Sequence, residues 1–155
     1  MNEYQDPRQR GQSIVLVAVA FVALLLFVAV AVDMSNAYAH RRTAQNAADA
    51  AALGGAQELG RQINGQTVES DVAIKIEMNR FAQRNGVPDT DENPDNAVND
   101  NVVGYYTDED GERLAGLPPI GSVGYVPDNA IGVEAITHIR APTFFGGVLG
   151  LSGLP

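Results

Sequence analysis

"IVLVAVAFVALLLFVAVAV" occupies residues 14–32, and no polar side chain interrupts these 19 residues. As a helix, rising 1.5 Å per residue, the run is about 28 Å long, close to the ~30 Å hydrocarbon core of a bilayer. Polar residues close both ends: Arg8, Arg10 and Gln12 before it, Asp33 and Asn36 after it. A buried core helix is the competing reading. The 123 residues that follow are polar and glycine-rich, and they cannot enclose such a rod. The run therefore reads as a membrane span. It exceeds the apolar stretch of a signal peptide, about 7–15 residues. The alternative is cleavage after Ala39, at the small-residue pattern Ala37-x-Ala39, releasing a secreted acidic binding or adhesion module. Arg8 and Arg10 lie nearer the span than Arg41 and Arg42, and the tail before it is short. Positive charge marks the cytoplasmic side, so the N-terminus is placed in the cytoplasm and the remainder outside.

Working outward, residues 1–12 read as a cytoplasmic tail, 13–33 as the transmembrane helix, and 34–155 as a small extracytoplasmic domain. No proline occurs between residues 13 and 59, and glycine occurs only at 54 and 55. The helix is expected to run on past the membrane until "GRQING", residues 60–65, where Gly60 and Gly65 supply stop signals. Its outer part is "RRTAQNAADAAALGGAQEL", residues 41–59. At helical spacing Ala44, Ala48, Ala52 and Ala56 form one row, and Ala47, Ala51, Gly55 and Leu59 the row beside it. A flat face of small residues lets another backbone approach closely. The competing reading is a solvated rod of high helix propensity. Gln45, Asn46 and Asp49 stand off the rows, free to bond across an interface or to water. The partner expected on this face is the chain's own strands or a second subunit.

A second helix is expected over "TVESDVAIKIEMNRFAQRNG", residues 67–86, with Thr67 as cap, Val68, Val72, Ile76 and Phe81 on the apolar face, and Gly86 and Pro88 closing it. The segment 86–101 is an acidic loop. "VVGYYTDEDGERLAG", residues 102–116, reads as a hairpin turning at residues 108–111. "IGVEAITHIRAP", residues 131–142, alternates, with Val133, Ala135, Thr137 and Ile139 on one face. "TFFGGVLGL", residues 143–151, is a short apolar helix or turn with Thr143 as cap. The fold class is thus α+β: a long N-terminal transmembrane helix continuing into an alanine-rich extracytoplasmic helix, then a second helix and a small antiparallel sheet.

Composition excludes several functions. The chain carries 19 acidic against 10 basic residues, which disfavours nucleic acid. It has no cysteine, so disulfides and thiolate metal sites are absent. Its two histidines, His40 and His138, sit by the membrane and on the outward face of the late strand. No phosphate loop, Gly-x-Ser-x-Gly or His-x-x-x-His occurs. No catalytic residue, cofactor site or small-molecule substrate is expected. Asp89, Asp91, Asn93, Asp95 and Asp100 fall at positions 1, 3, 5, 7 and 12 of a calcium-loop template. Pro94 stands where that loop turns on glycine, and Asp100 is shorter than its bidentate glutamate. No metal site is expected there either.

The segment from Arg10-Gly11 to Leu59 closely resembles the N-terminal part of TadG-like and TadE-like proteins of bacterial Tad (Flp) pilus assembly. The resemblance is carried by Gly11, by the span ending in Val32-Asp33, and by the Gln-x-x-Ala-Asp-Ala-Ala-Ala-Leu block from Gln45 to Leu53, with Asn46 and Asp49 inside it. "VEAITHIRAPTFFGGVLGL", residues 133–151, resembles a late strand and Pro-Thr-Phe-Phe element of the same family. It implies a single-pass, pilin-like, non-enzymatic protein of the bacterial cytoplasmic membrane that acts in assembly or anchoring of Tad pili. Its partners would be the lipid bilayer and other pilus-assembly or pilin-like subunits met through the 44–59 helix. Leu16 stands where processed pilins carry glutamate five residues after the glycine, which argues against prepilin processing at Gly11. Relatives run on past "LSGLP" into a further strand, so a short member or a piece of a longer chain is expected.

Overall fold

The computed structural model describes residues 7–149 apart from 92 and 94. The architecture is α+β, with a long apolar N-terminal helix, a second helix and a two-stranded antiparallel sheet. The chain divides into two compact units, Met1–Tyr38 with Ala141–Pro155, and Ala39–Arg140.

Helix α1 runs from Pro7 to Ile63 without a break. It begins within the stretch read as a tail, at a proline whose missing N–H costs nothing in a first turn. It continues past the apolar run as the alanine-rich sequence requires. It stops inside "GRQING" by a Schellman motif: Gly65, at φ 67°, donates to the Gln62 carbonyl, and Gln66 donates to that of Arg61.

Helix α2 spans Asp71–Arg84. Its cap is Ser70, whose hydroxyl accepts the Ala73 N–H at 3.2 Å, and not Thr67 as expected. Thr67 instead donates its hydroxyl to Glu58 at 3.0 Å. The exit repeats the Schellman motif, with Gly86 at φ 93° and Val87 bonded back to Ala82. The expected apolar face also shifts. Val68 lies before the helix and is exposed, and Val72 is exposed, whereas Asp71, Ile74, Lys75, Met78, Asn79 and Ala82 are buried. Three polar residues sit inward because each finds a bonding partner far along the chain.

Strand β1, Val102–Thr107, pairs antiparallel with β2, Gly132–Thr137, from Val102 opposite Thr137 to Thr107 opposite Gly132. The hairpin expected at 102–116 keeps its turn and a minimal return, while the ladder of β1 is made with β2. The turn itself forms: Asp108 Oδ1 accepts the N–H groups of Asp110 and Glu112, and Gly111 adopts φ 79°. The return is a single bridge between Thr107 and Arg113. Beyond it the chain follows the edge of β1 away from β2, bonded there by Leu114 N–H to Tyr106 and Ile120 N–H to Gly104. Pro118 and Pro119, lacking N–H groups, keep this segment from becoming a strand. The long-range partner β2 takes the other edge.

Val102, Gly104 and Tyr106 alternate inward along β1 and are buried. Met78 ties the core together. Its side chain lies against Gly55 of α1, where a built Cβ would fall 2.8 Å from its Cγ, and against Gly104 of β1, where one would fall 2.7 Å from its Sδ. Two glycines on different elements thus make the slot that one methionine fills. In the other unit, residues 146–149 form a short 3-10 turn, Gly146–Leu149.

Candidate assembly face and membrane-exit site

The apolar run 14–32 is uncovered. Every residue in it is exposed except the half-buried Ala29. Among the described residues, α1 is the one helix long and apolar enough to cross a membrane, and none of its apolar window is buried.

Just past this run, the first polar side chains bind the far end of the chain. The Asp33 carboxylate accepts three consecutive backbone N–H groups: Phe144 at 2.8 Å, Phe145 at 3.1 Å and Gly146 at 2.8 Å. About one turn on, Asn36 Nδ2 donates to the Pro142 carbonyl at 2.7 Å. Asp33 is thus an acceptor at the opening of the 3-10 turn. Sequence reading took Asp33 as the end of a span and missed this second use. An aspartate that begins the polar sequence, and its place in the family resemblance, name no partner 111 residues away.

The small-residue face is used within the chain. Ala47, Ala51, Gly55 and Leu59 are buried, as are Gly54, Glu58 and Gln62. What covers them belongs to α2 and β2. A Cβ on Gly54 would meet the Phe81 ring at 2.6 Å and the Glu77 carbonyl at 3.1 Å, and one on Gly55 would meet Met78 and, at 3.1 Å, Val133. Ala44, Ala48, Ala52 and Ala56 are half-buried beside this face. The Ala44 carbonyl accepts the Thr137 hydroxyl at 2.7 Å. Gln45, Asn46 and Asp49 are exposed, and so is Leu53 at 55%. At its end α1 is joined to the start of α2 by an amide pair: Gln62 accepts the Ser70 N–H at 2.8 Å and returns a bond to the Ser70 carbonyl at 3.2 Å.

The inward polar residues of α2 are the functional-looking groups that sequence reading missed. Asp71 is 2% exposed and takes the Tyr106 hydroxyl on one oxygen and the Val123 and Gly124 N–H groups on the other. Burial, with the Asp71 carboxylate beside it, drives the Tyr106 phenol well above its ordinary range. Lys75 Nζ donates to the carbonyls of Asn99 and Val102, while Gly121 lies on its aliphatic stem. Burial pulls its ammonium down from 10.5 to about 8, against the opposing pull of Asp100 and Asp89. These groups hold loops to the helix.

The acidic loop is occupied with its own backbone. Asp91 accepts the Asn93 N–H, Asn93 the Asp95 N–H, Asn96 the Val98 N–H and Asn99 the Asn101 N–H, a chain of Asx turns. Asp95 is paired with Arg80 at 2.7 Å. Pro94 and Glu92 lie outside the described residues. Among the described residues, no three His, Cys, Asp or Glu side chains converge on a metal-sized position. His40 is half-buried and His138 exposed, far apart in sequence and with no shared bond.

Residues 11–58 match the family model described as "Putative Flp pilus-assembly TadE/G-like". This segment is TadE/G-like. No curated protein and no solved structure matches the chain. The TadE/G-like segment begins at Gly11 and ends at Glu58, so it holds the uncovered apolar run, Asp33 and the buried alanine face together. The late Pro-Thr-Phe-Phe element lies outside it, yet its backbone is bonded to Asp33, which lies inside.

Proposed function

We propose that this chain is a single-pass, membrane-anchored, pilin-like protein that acts without catalysis in assembly or anchoring of Tad (Flp) pili. The observation that carries the reading is the extent of the TadE/G-like match, which joins an uncovered bilayer-length run to the alanine block packed under α2 and β2. In this reading residues 14–32 cross the bacterial cytoplasmic membrane, the N-terminus is cytoplasmic and the small domain lies outside. Contacts with other pilus-assembly or pilin-like subunits are made through the 44–59 helix. Its small face is committed to the chain's own core, so the strip left for a partner is Gln45, Asn46, Asp49 and Leu53. Release after Ala39 is the weaker reading, because it would remove Asp33 and Asn36, which hold residues 142–146.

The test is made in cells. The full chain should remain in membranes after alkaline extraction. A periplasmically active reporter should work only when fused after the span. A photo-crosslinker placed at Leu53 should capture other pilus-assembly proteins. A soluble product beginning at His40 would establish release instead. Crosslinks to none of those proteins, from a membrane-retained chain, would remove the assembly role.

A further inference from the structure

We propose that Asp33 clamps residues 142–146 at the outer end of the apolar run so that Phe144 and Phe145 enter the interfacial layer of the bilayer, making a second membrane contact beside the span. The inference rests on the reading that residues 14–32 cross the membrane. Asp33 is the first polar side chain after those 19 residues, which sets it at headgroup level. Its bonds to Phe144, Phe145 and Gly146, with the Asn36 bond to Pro142, hold the late segment at the level of residues 33–36. Phe144 and Phe145 are adjacent aromatics, 64% and 47% exposed, although each is large enough to dominate a packed core. Backbone donors brought near hydrocarbon must already be bonded, since lipid offers them no partner. Asp33 satisfies that condition for the three N–H groups at and just after the two rings. Lipid is the occupant favoured here because the aromatic pair is continuous with a surface that the bilayer already covers.

The chain contains no tryptophan, so a single introduced indole reports its own depth. Full-length Phe144→Trp and Phe21→Trp chains are reconstituted in phosphatidylcholine–phosphatidylglycerol vesicles carrying bromine at a shallow or a deep acyl position. The Phe21→Trp chain lies within the span and should lose emission to the deep bromine. The Phe144→Trp chain should show blue-shifted emission, lost to the shallow bromine and little affected by the deep one. Asp33→Ala in the Phe144→Trp background should abolish that quenching, and Asp33→Asn, which keeps one accepting oxygen, should restore part of it. Deep quenching at position 21 with only aqueous quenching at position 144 overturns the interfacial contact and leaves the span standing. No bromine quenching at position 21 overturns the span, and the clamp with it. Quenching at position 144 that survives Asp33→Ala overturns the role given to Asp33.

Discussion

The Tyr106 hydroxyl donates to the Asp71 carboxylate at 2.9 Å in the buried core, joining β1 to the first turn of α2. The same carboxylate takes the Val123 and Gly124 N–H groups, so one side chain holds a strand, a helix and a loop. Tyr106→Phe removes one hydrogen bond to a charged group and should cost about 1.5–3 kcal/mol. Asp71→Ala removes all three and leaves the buried Tyr106 hydroxyl without its acceptor, so it should cost more. Denaturant unfolding of the full chain in detergent, followed by tertiary circular dichroism, checks the order. Equal losses for the two variants would mean that the loop bonds contribute nothing.

Glycines on α1 should respond in opposite directions to the same change. Gly54→Ala drives a methyl into the Phe81 ring and Gly55→Ala drives one into Met78, and overpacking of this kind costs about 1–3 kcal/mol. Gly60 lies in the same helix with nothing within 4 Å of a built Cβ. Gly60→Ala should therefore stabilise by about 0.4–1 kcal/mol by restricting the unfolded chain. Thermal unfolding of the three variants separates packing from propensity on a single helix.

Lys75 gives the domain a pH dependence of known sign. Its folded value, about 8, lies below the 10.5 of the free side chain, so the folded state binds its proton more weakly than the unfolded state. Stability then rises with pH between those two values, and this contribution is lost as pH falls through about 8. Lys75→Met should flatten the curve in that window and leave the acid limb unchanged. Unfolding midpoints measured from pH 7 to 10.5 test it, and an equal slope in both chains would place the cause elsewhere.

Calorimetric titration of the full chain with calcium should show no one-to-one site in the micromolar range. Asp95 is already paired with Arg80, and Asp91 accepts both the Asn93 N–H and the Asn96 side-chain amide. Calcium would have to break these contacts before collecting its six to eight oxygens. A saturable micromolar isotherm that Asp91→Asn abolishes would establish a site here.

What could be read from the sequence follows the range of the interactions. The course of α1 was legible because its causes are local: an apolar run, unbroken alanine, and Gly65 at its end. The location of α2 and the turn at Asp108 were legible for the same reason. The inward face of α2 was not. Asp71, Lys75 and Asn79 lie on it because Tyr106, Val102 and Asn96 bond to them, and no periodicity in residues 67–86 encodes those partners. Likewise "DEDG" announces a turn but cannot say that β1 will pair with a strand 25 residues further on. The small-residue rows were visible, while what packs on them was set by Met78 and Phe81.

Met78 is fully enclosed, and Met34, at the edge of the apolar run, is 68% exposed. Sulfoxidation turns a supple apolar chain into a polar one, and Met78 lies unexposed against the backbone of Gly55 and Gly104, where a sulfoxide oxygen would be buried away from water. Peroxide can therefore reach Met78 only while the domain is open, and a molecule caught in that moment closes less stably around it. The core is in effect a chemical fuse: its oxidation records each excursion from the native state, with Met34 as the reference that measures exposure to the oxidant.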